Sequence, residues 1–278
     1  MRANAFGCVA VLAILGTAPG SAHAAAVLPG VFNSNTLAGN DDGSTGLVAL
    51  GFGIDFYGSN YSQVYVNNNG NITFTNALGI FTPFGLLTAP LPIIAPFFAD
   101  VDTRDAAPDV TYGTGTYDGR NAFGVNWLNV DHFATSADQT NRNTFQLVLV
   151  DRGDTGVGNF DFIFNYDQIQ WEAGEASGSS TQGCGGASAR VGYTNGGAVD
   201  FEFAGSGVNG AFLDSGNCLN GPPNAATALV LNSLNSDVAG RYVFQVRNGA
   251  VVPQIPEPAT MLLLGVGAYA ALRRRSPR

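Results

Sequence analysis

The sharpest polar constellation in the chain is Asp100-Val101-Asp102-Thr103-Arg104-Asp105. Carboxylates two residues apart on an extended strand project to the same side. Hard oxygen ligands gathered in a loop suit calcium. The segment is not an EF-hand loop, because Arg104 stands at a ligand position and no glycine occupies the sixth place. Asp100, Asp102 and Asp105 are the candidate metal ligands, with calcium as the candidate cofactor. The competing use is structural: Asp100 and Asp102 would accept backbone hydrogen bonds after the apolar 93–99 run. Asp41-Asp42-Gly43 poses the same choice between a metal and a turn.

Catalytic chemistry finds less material. Beyond the first 24 residues the only histidine is His132, and no Gly-x-Ser-x-Gly elbow exists. Gly186-Ala187-Ser188-Ala189-Arg190 departs from that motif at its last position. The glycine-rich 178–186 stretch has no lysine to complete a phosphate loop. Acids are plentiful, so a glycan hydrolase working through a carboxylate pair is the alternative function, but no pair stands out. Arg152-Gly153-Asp154 spells a tripeptide that animal integrins recognise, although Gly and Asp are also what a turn requires. The chain reads as a non-enzyme.

Charge narrows the partners. Every basic residue is arginine, and five of the 12 lie at the two extremes of the chain. Between residues 25 and 255, seven arginines face twenty acids. Such a surface repels phosphate backbones and argues against nucleic acid; cations, or polymers bridged by them, fit better.

Both ends read as processing signals. Arg2, the apolar 5–15 run and Ala22-His23-Ala24 form a signal peptide over residues 1–24, with cleavage expected after Ala24. Loss of that segment removes Cys8 and leaves Cys184 and Cys218, which in an oxidising compartment are expected to form one disulfide. At the other end stand Pro256-Glu257-Pro258, an apolar 259–272 run and Arg273-Arg274-Arg275. The arginines would hold that end in the cytoplasm and leave the rest outside. The run is short for a permanent membrane span. This three-part signal resembles the PEP-CTERM sorting tail of exopolysaccharide-producing Gram-negative bacteria. The resemblance implies an exosortase-type partner that cuts near Pro256-Glu257-Pro258, and inner-membrane contact through a hydrophobic helix at 259–272.

Between these ends, short apolar runs alternate with Gly- and Asn-rich turns. Val64 to Val66 and Ile72 to Phe74 flank Asn67-Asn68-Asn69-Gly70-Asn71 and read as a hairpin. Phe145 to Val150 and Phe160 to Tyr166 form a second one, with Phe160, Phe162, Phe164 and Tyr166 on one face. Runs at 189–193, 199–203, 228–231 and 242–247 are also strand-like. The expected fold is mainly β, a two-layer, sandwich-like ectodomain with long loops.

Several of these pieces together resemble the extracellular domain named after nidogen. They include 65–74, Ile94 to Thr103, Asn126-Trp127, Asn143 to Leu149 and Phe164-Asn165-Tyr166 with Ile169-Gln170-Trp171. Arg190 to Tyr193 and Gly240 to Phe244 follow in order. The departure is Phe98, where animal members carry Trp. The implied organisation is an N-terminal extension at 25–46, a nidogen-like domain at 47–249, a linker at 250–255 and the sorting segment at 256–278. The implied role is cell-matrix adhesion or matrix structure at the cell surface, with extracellular polysaccharide or other surface proteins as partners.

Overall fold

A computed structural model of the chain describes residues 25–104, 108–135, 140–197 and 199–253. The signal segment ending at Ala24, Asp105, and the tail with Pro256, Glu257, Pro258 and Arg273 to Arg275 lie outside the described residues, as does the expected C-terminal helix. No helix among the described residues is long and apolar enough to cross a membrane.

Among the described residues, fourteen strands build two sheets. They are β1 (Asn35–Leu37), β2 (Val48–Phe56), β3 (Ser59–Asn67), β4 (Asn71–Thr73), β5 (Pro92–Phe98), β6 (Val101–Asp102) and β7 (Val110–Tyr117), followed by β8 (Arg120–His132), β9 (Asn143–Asp151), β10 (Phe160–Ile169), β11 (Arg190–Asn195), β12 (Asp200–Glu202), β13 (Arg241–Arg247) and β14 (Ala250–Val251). The larger sheet runs β1-β7-β8-β9-β10-β13-β14 with β6 attached to β8; the smaller runs β12-β11-β5-β4-β3-β2. Both expected hairpins form, pairing Val66 with Ile72 and Phe162 with Leu149. The 228–231 run is not a strand but a turn. It seats Leu229 in the core, where the Leu229 carbonyl accepts the Tyr242 hydroxyl at 3.0 Å.

The two sheets share one core. Trp127, Phe145, Leu147, Phe162, Phe164 and Phe244 of the larger sheet meet Val64, Val66, Ile72, Ile94, Phe97 and Val191 of the smaller. Each such side chain contributes roughly 1.5–3 kcal/mol by leaving water. The outer faces are covered as well. Phe32 packs on Ala122, Val148, Val150 and Ile163 of the larger sheet. The strap from Ala26 to Phe32 is pinned there by polar groups: Asp167 accepts the Ala26 amide at 2.7 Å, and Asn126 donates to the Phe32 carbonyl at 3.1 Å. Residues 78–89 cover the smaller sheet through Leu78, Leu86 and Ala89. Strands buried on both faces read as nearly continuous apolar runs, as 145–150 does.

β8 spans the larger sheet from end to end. Arg120 follows the β7–β8 turn at one end, and His132 pairs with Val101 at the other. Among the described residues, Asp118, Asp151 and Asp154 gather at the first end and Asp41, Asp42 and Asp100 at the second.

Candidate cation site at the Asn-Gly turn

The turn between β3 and β4 is built of residues that ordinarily face water, yet Asn67, Asn68, Asn69 and Asn71 are all buried. Gly70 closes it at φ 72°, and any Cβ there would overlap the Phe97 carbonyl oxygen, so only glycine fits. Buried amides must be satisfied, and these are, by drawing three other segments onto the turn. Asn68 Nδ2 donates to the carbonyls of Val101 at 2.5 Å, Asp41 at 2.6 Å and Asn40 at 3.2 Å. The Asn68 side-chain oxygen accepts the Thr103 hydroxyl at 2.9 Å, and its backbone carbonyl accepts Trp127 Nε1 at 2.9 Å. Asn69 donates to Asp42 Oδ1 at 2.9 Å and accepts the Val101 amide at 2.9 Å.

This framework clamps the 40–43 loop against the residues after β5. Ligand oxygens of Asp41, Asp42 and Asp100 come within 4.8 Å of one another. Asp100 is 1% exposed, and its Oδ2 has no hydrogen-bond partner among the described residues; the same holds for the buried Oδ1 of Asp41. Burial pushes the Asp100 carboxyl up to about 7, aided by the charges of Asp41, Asp42 and Asp102 and opposed by a Ser177 hydrogen bond. Asp41 is pushed up to about 6, by burial first and then by Asp102 and Asp42, against the pull of Arg104.

The sequence points to Asp100, Asp102 and Asp105; Asp105 lies outside the described residues, and the structure gives Asp100 and Asp102 different partners. Asp102 is engaged by Arg104, whose Nε and NH2 lie 3.0 Å and 2.7 Å from its two oxygens. Two residues from Asp102 is within reach of a guanidinium fork, so this carboxylate is matched rather than available. The second NH2 contact of Arg104 is Asp41 Oδ2 at 3.1 Å. Asp100 instead meets Asp41 and Asp42, from a loop about sixty residues earlier in the chain. The signal for this was Asp41-Asp42-Gly43 itself, which sequence alone leaves divided between turn and ligand; the buried Asn67–Asn69 support had no such signal.

The remaining candidates have structural partners. His132 is fully buried, with Nδ1 3.2 Å from Asp131 Oδ1 and Nε2 3.2 Å from the Thr181 carbonyl. Arg142 closes the row on Asp131 Oδ2 at 2.8 Å. Arg152-Gly153-Asp154 does sit on the β9–β10 turn, but its charged groups are occupied: Asp154 bonds Arg120 at 2.9 Å and Arg152 at 3.2 Å. Hydrogen bonding to Arg120 is the chief cause that holds the Asp154 carboxyl down at about 2. Cys184 and Cys218 form the expected disulfide, with Cα atoms 5.1 Å apart.

Fold and site together define a two-sheet extracellular-type β module whose polar chemistry lies in end loops around an aromatic core. The chain belongs to the nidogen-like domain family, which residues 62–118 and 112–248 match. Residues 254–275 match the PEP-CTERM protein-sorting motif. Alpha-tectorin of Mus musculus is 31% identical over 243 residues, covering 77% of this chain and 10% of that protein. Alpha-tectorin of Gallus gallus is 30% identical over 250 residues, covering 81% and 10%. Nidogen of Drosophila melanogaster is 27% identical over 176 residues, covering 54% and 12%. The chain thus spans about a tenth of the length of the curated relatives it matches. No solved structure matches it.

Proposed function

We propose that this chain is an exported structural or adhesion protein of the cell surface or extracellular matrix, associated with exopolysaccharide and sorted by an exosortase-type enzyme. The observation that carries this reading is the union, in one chain, of a nidogen-like domain with a PEP-CTERM protein-sorting motif. The acidic balance of residues 25–255 favours cation-bridged anionic polymer over nucleic acid. The burial of His132 between Asp131 and Thr181 supports a packing role for that histidine rather than proton transfer at a surface. Two experiments test the reading. Replacing Arg273, Arg274 and Arg275 with Ala should leave the protein mislocalised in cell fractions; an unchanged location counts against sorting through the tail. Processed protein recovered from the cell surface should co-sediment saturably with the host's isolated exopolysaccharide, and failure to do so argues against polymer association.

A further inference from the structure

Three carboxylates crowd one loop junction while buried oxygens of two of them go without a donor. An unpartnered buried carboxylate oxygen is costly, and here Asp100 Oδ2 and Asp41 Oδ1 are both in that condition inside one cluster. Among the described residues the nearby donors are already committed; the Ser177 hydroxyl, which hydrogen-bonds Asp100, is shared with Thr82 Oγ1 at 3.0 Å. Asn69 Nδ2 serves Asp42, Asn68 Nδ2 serves three carbonyls, and Arg104 holds Asp102 and the other oxygen of Asp41. Like charges confined this way need either protons or a cation.

We propose that Asp41, Asp42 and Asp100 form a calcium site, assembled on the buried Asn67–Asn69 turn and independent of the adhesive reading above. The donor set is all oxygen, which selects hard cations over zinc or copper. Two oxygens bound to one calcium at about 2.4 Å each stand at most about 4.8 Å apart, and the three carboxylates meet that limit. Asp41 and Asp42 lie on an irregular loop that tolerates calcium's variable coordination better than the strict octahedron magnesium demands. Remaining positions are left for water. The cation would join the N-terminal segment, through residues 41–42, to the end of β5, which the strand pairing alone does not do.

The test is calcium-dependent thermal unfolding of the full chain, purified in mild detergent and stripped with chelator, paired with direct calcium titration. Wild type should bind one calcium saturably and gain several degrees in Tm, since an ion that binds only the folded state stabilises it. Asp100→Asn and Asp42→Asn should each weaken calcium binding at least tenfold and abolish the Tm gain. Without calcium, Asp100→Asn should melt at or above wild type, because it removes a buried charge; this separates a lost site from a damaged fold. Asp154→Asn, at the opposite end, should keep the full response. The proposal is overturned if millimolar calcium neither binds nor shifts Tm, which would mean that protons neutralise the cluster. It is equally overturned if calcium still stabilises Asp100→Asn and Asp42→Asn as it does wild type.

Discussion

The two ends of β8 carry carboxylates of the same kind in opposite circumstances. At the β9–β10 turn, Asp154 and Asp161 face Arg120, Arg152 and Arg247, with nitrogen–oxygen distances between 2.5 and 3.2 Å. At the Asn67–Gly70 turn, Asp41, Asp42, Asp100 and Asp102 have Arg104 among them, and it is used mainly on Asp102. At the first end Asp154 and Asp161 are each paired with two arginines. The other is arranged to receive charge from outside. The lesson is that an acidic motif has functional content according to its partners, and these are set by the fold.

The largest expected effect separates the ends through their glycines. Gly70 and Gly119 share nearly the same positive φ, 72° and 74°, but a Cβ at Gly70 overlaps the Phe97 carbonyl while one at Gly119 meets nothing within 4 Å. Gly70→Ala should lower unfolding free energy by more than about 3 kcal/mol, and Gly119→Ala by about 1 kcal/mol. Equal losses in denaturant titrations would break the claim that the Asn-Gly turn anchors the acidic end.

Next in size is the Cys184–Cys218 link, which closes a separation of 34 residues. Its replacement by serines should cost about 3–4 kcal/mol in the chain-entropy model. The loop it restrains packs Gly183 on Trp171 and His132, at the acidic end of β8. Amide exchange should therefore rise around 171–184 more than around 152–161; a uniform rise would blur the contrast. Asn68→Ala follows. It strips a donor from the Asn40, Asp41 and Val101 carbonyls and should cost about 2–3 kcal/mol while loosening the 40–43 loop.

Much of this architecture was legible beforehand. The hairpins at 64–74 and 145–166 announced themselves through period-two apolar residues around Gly- and Asn-rich turns. The disulfide followed from two cysteines and an exported context. The 228–231 run misled because a short apolar segment reads alike whether it pairs as a strand or plugs a core from a turn. The acidic site was half legible. Asp100 is a candidate from the sequence alone, but the approach of Asp41 and Asp42 to it depends on Asn68 and Asn69 reaching across to residues 40–42, a long-range contact that no local pattern encodes. For Asp102 the structural alternative describes the contacts, since its Oδ1 accepts the Arg104 amide at 2.9 Å and its carboxylate meets the Arg104 guanidinium.

The smallest effect concerns the matched end. The Asp154 carboxyl is held at about 2, below its ordinary 3.8, so its stabilisation is complete above pH 4 and is lost as pH falls through 2. Arg120→Gln should weaken that acid sensitivity slightly, because the group is exposed and water screens the pair. An unchanged acid limb of the stability curve would show that Arg120 does not matter to it.

The most direct test of the difference between the ends is anomalous diffraction from crystals of the protein grown with terbium as a calcium substitute. One strong peak is expected among the carboxylates of Asp41, Asp42 and Asp100 and none beside Asp154 or Asp161. A lanthanide bound at the arginine-matched end, or an acidic cluster with no peak, would contradict this expectation.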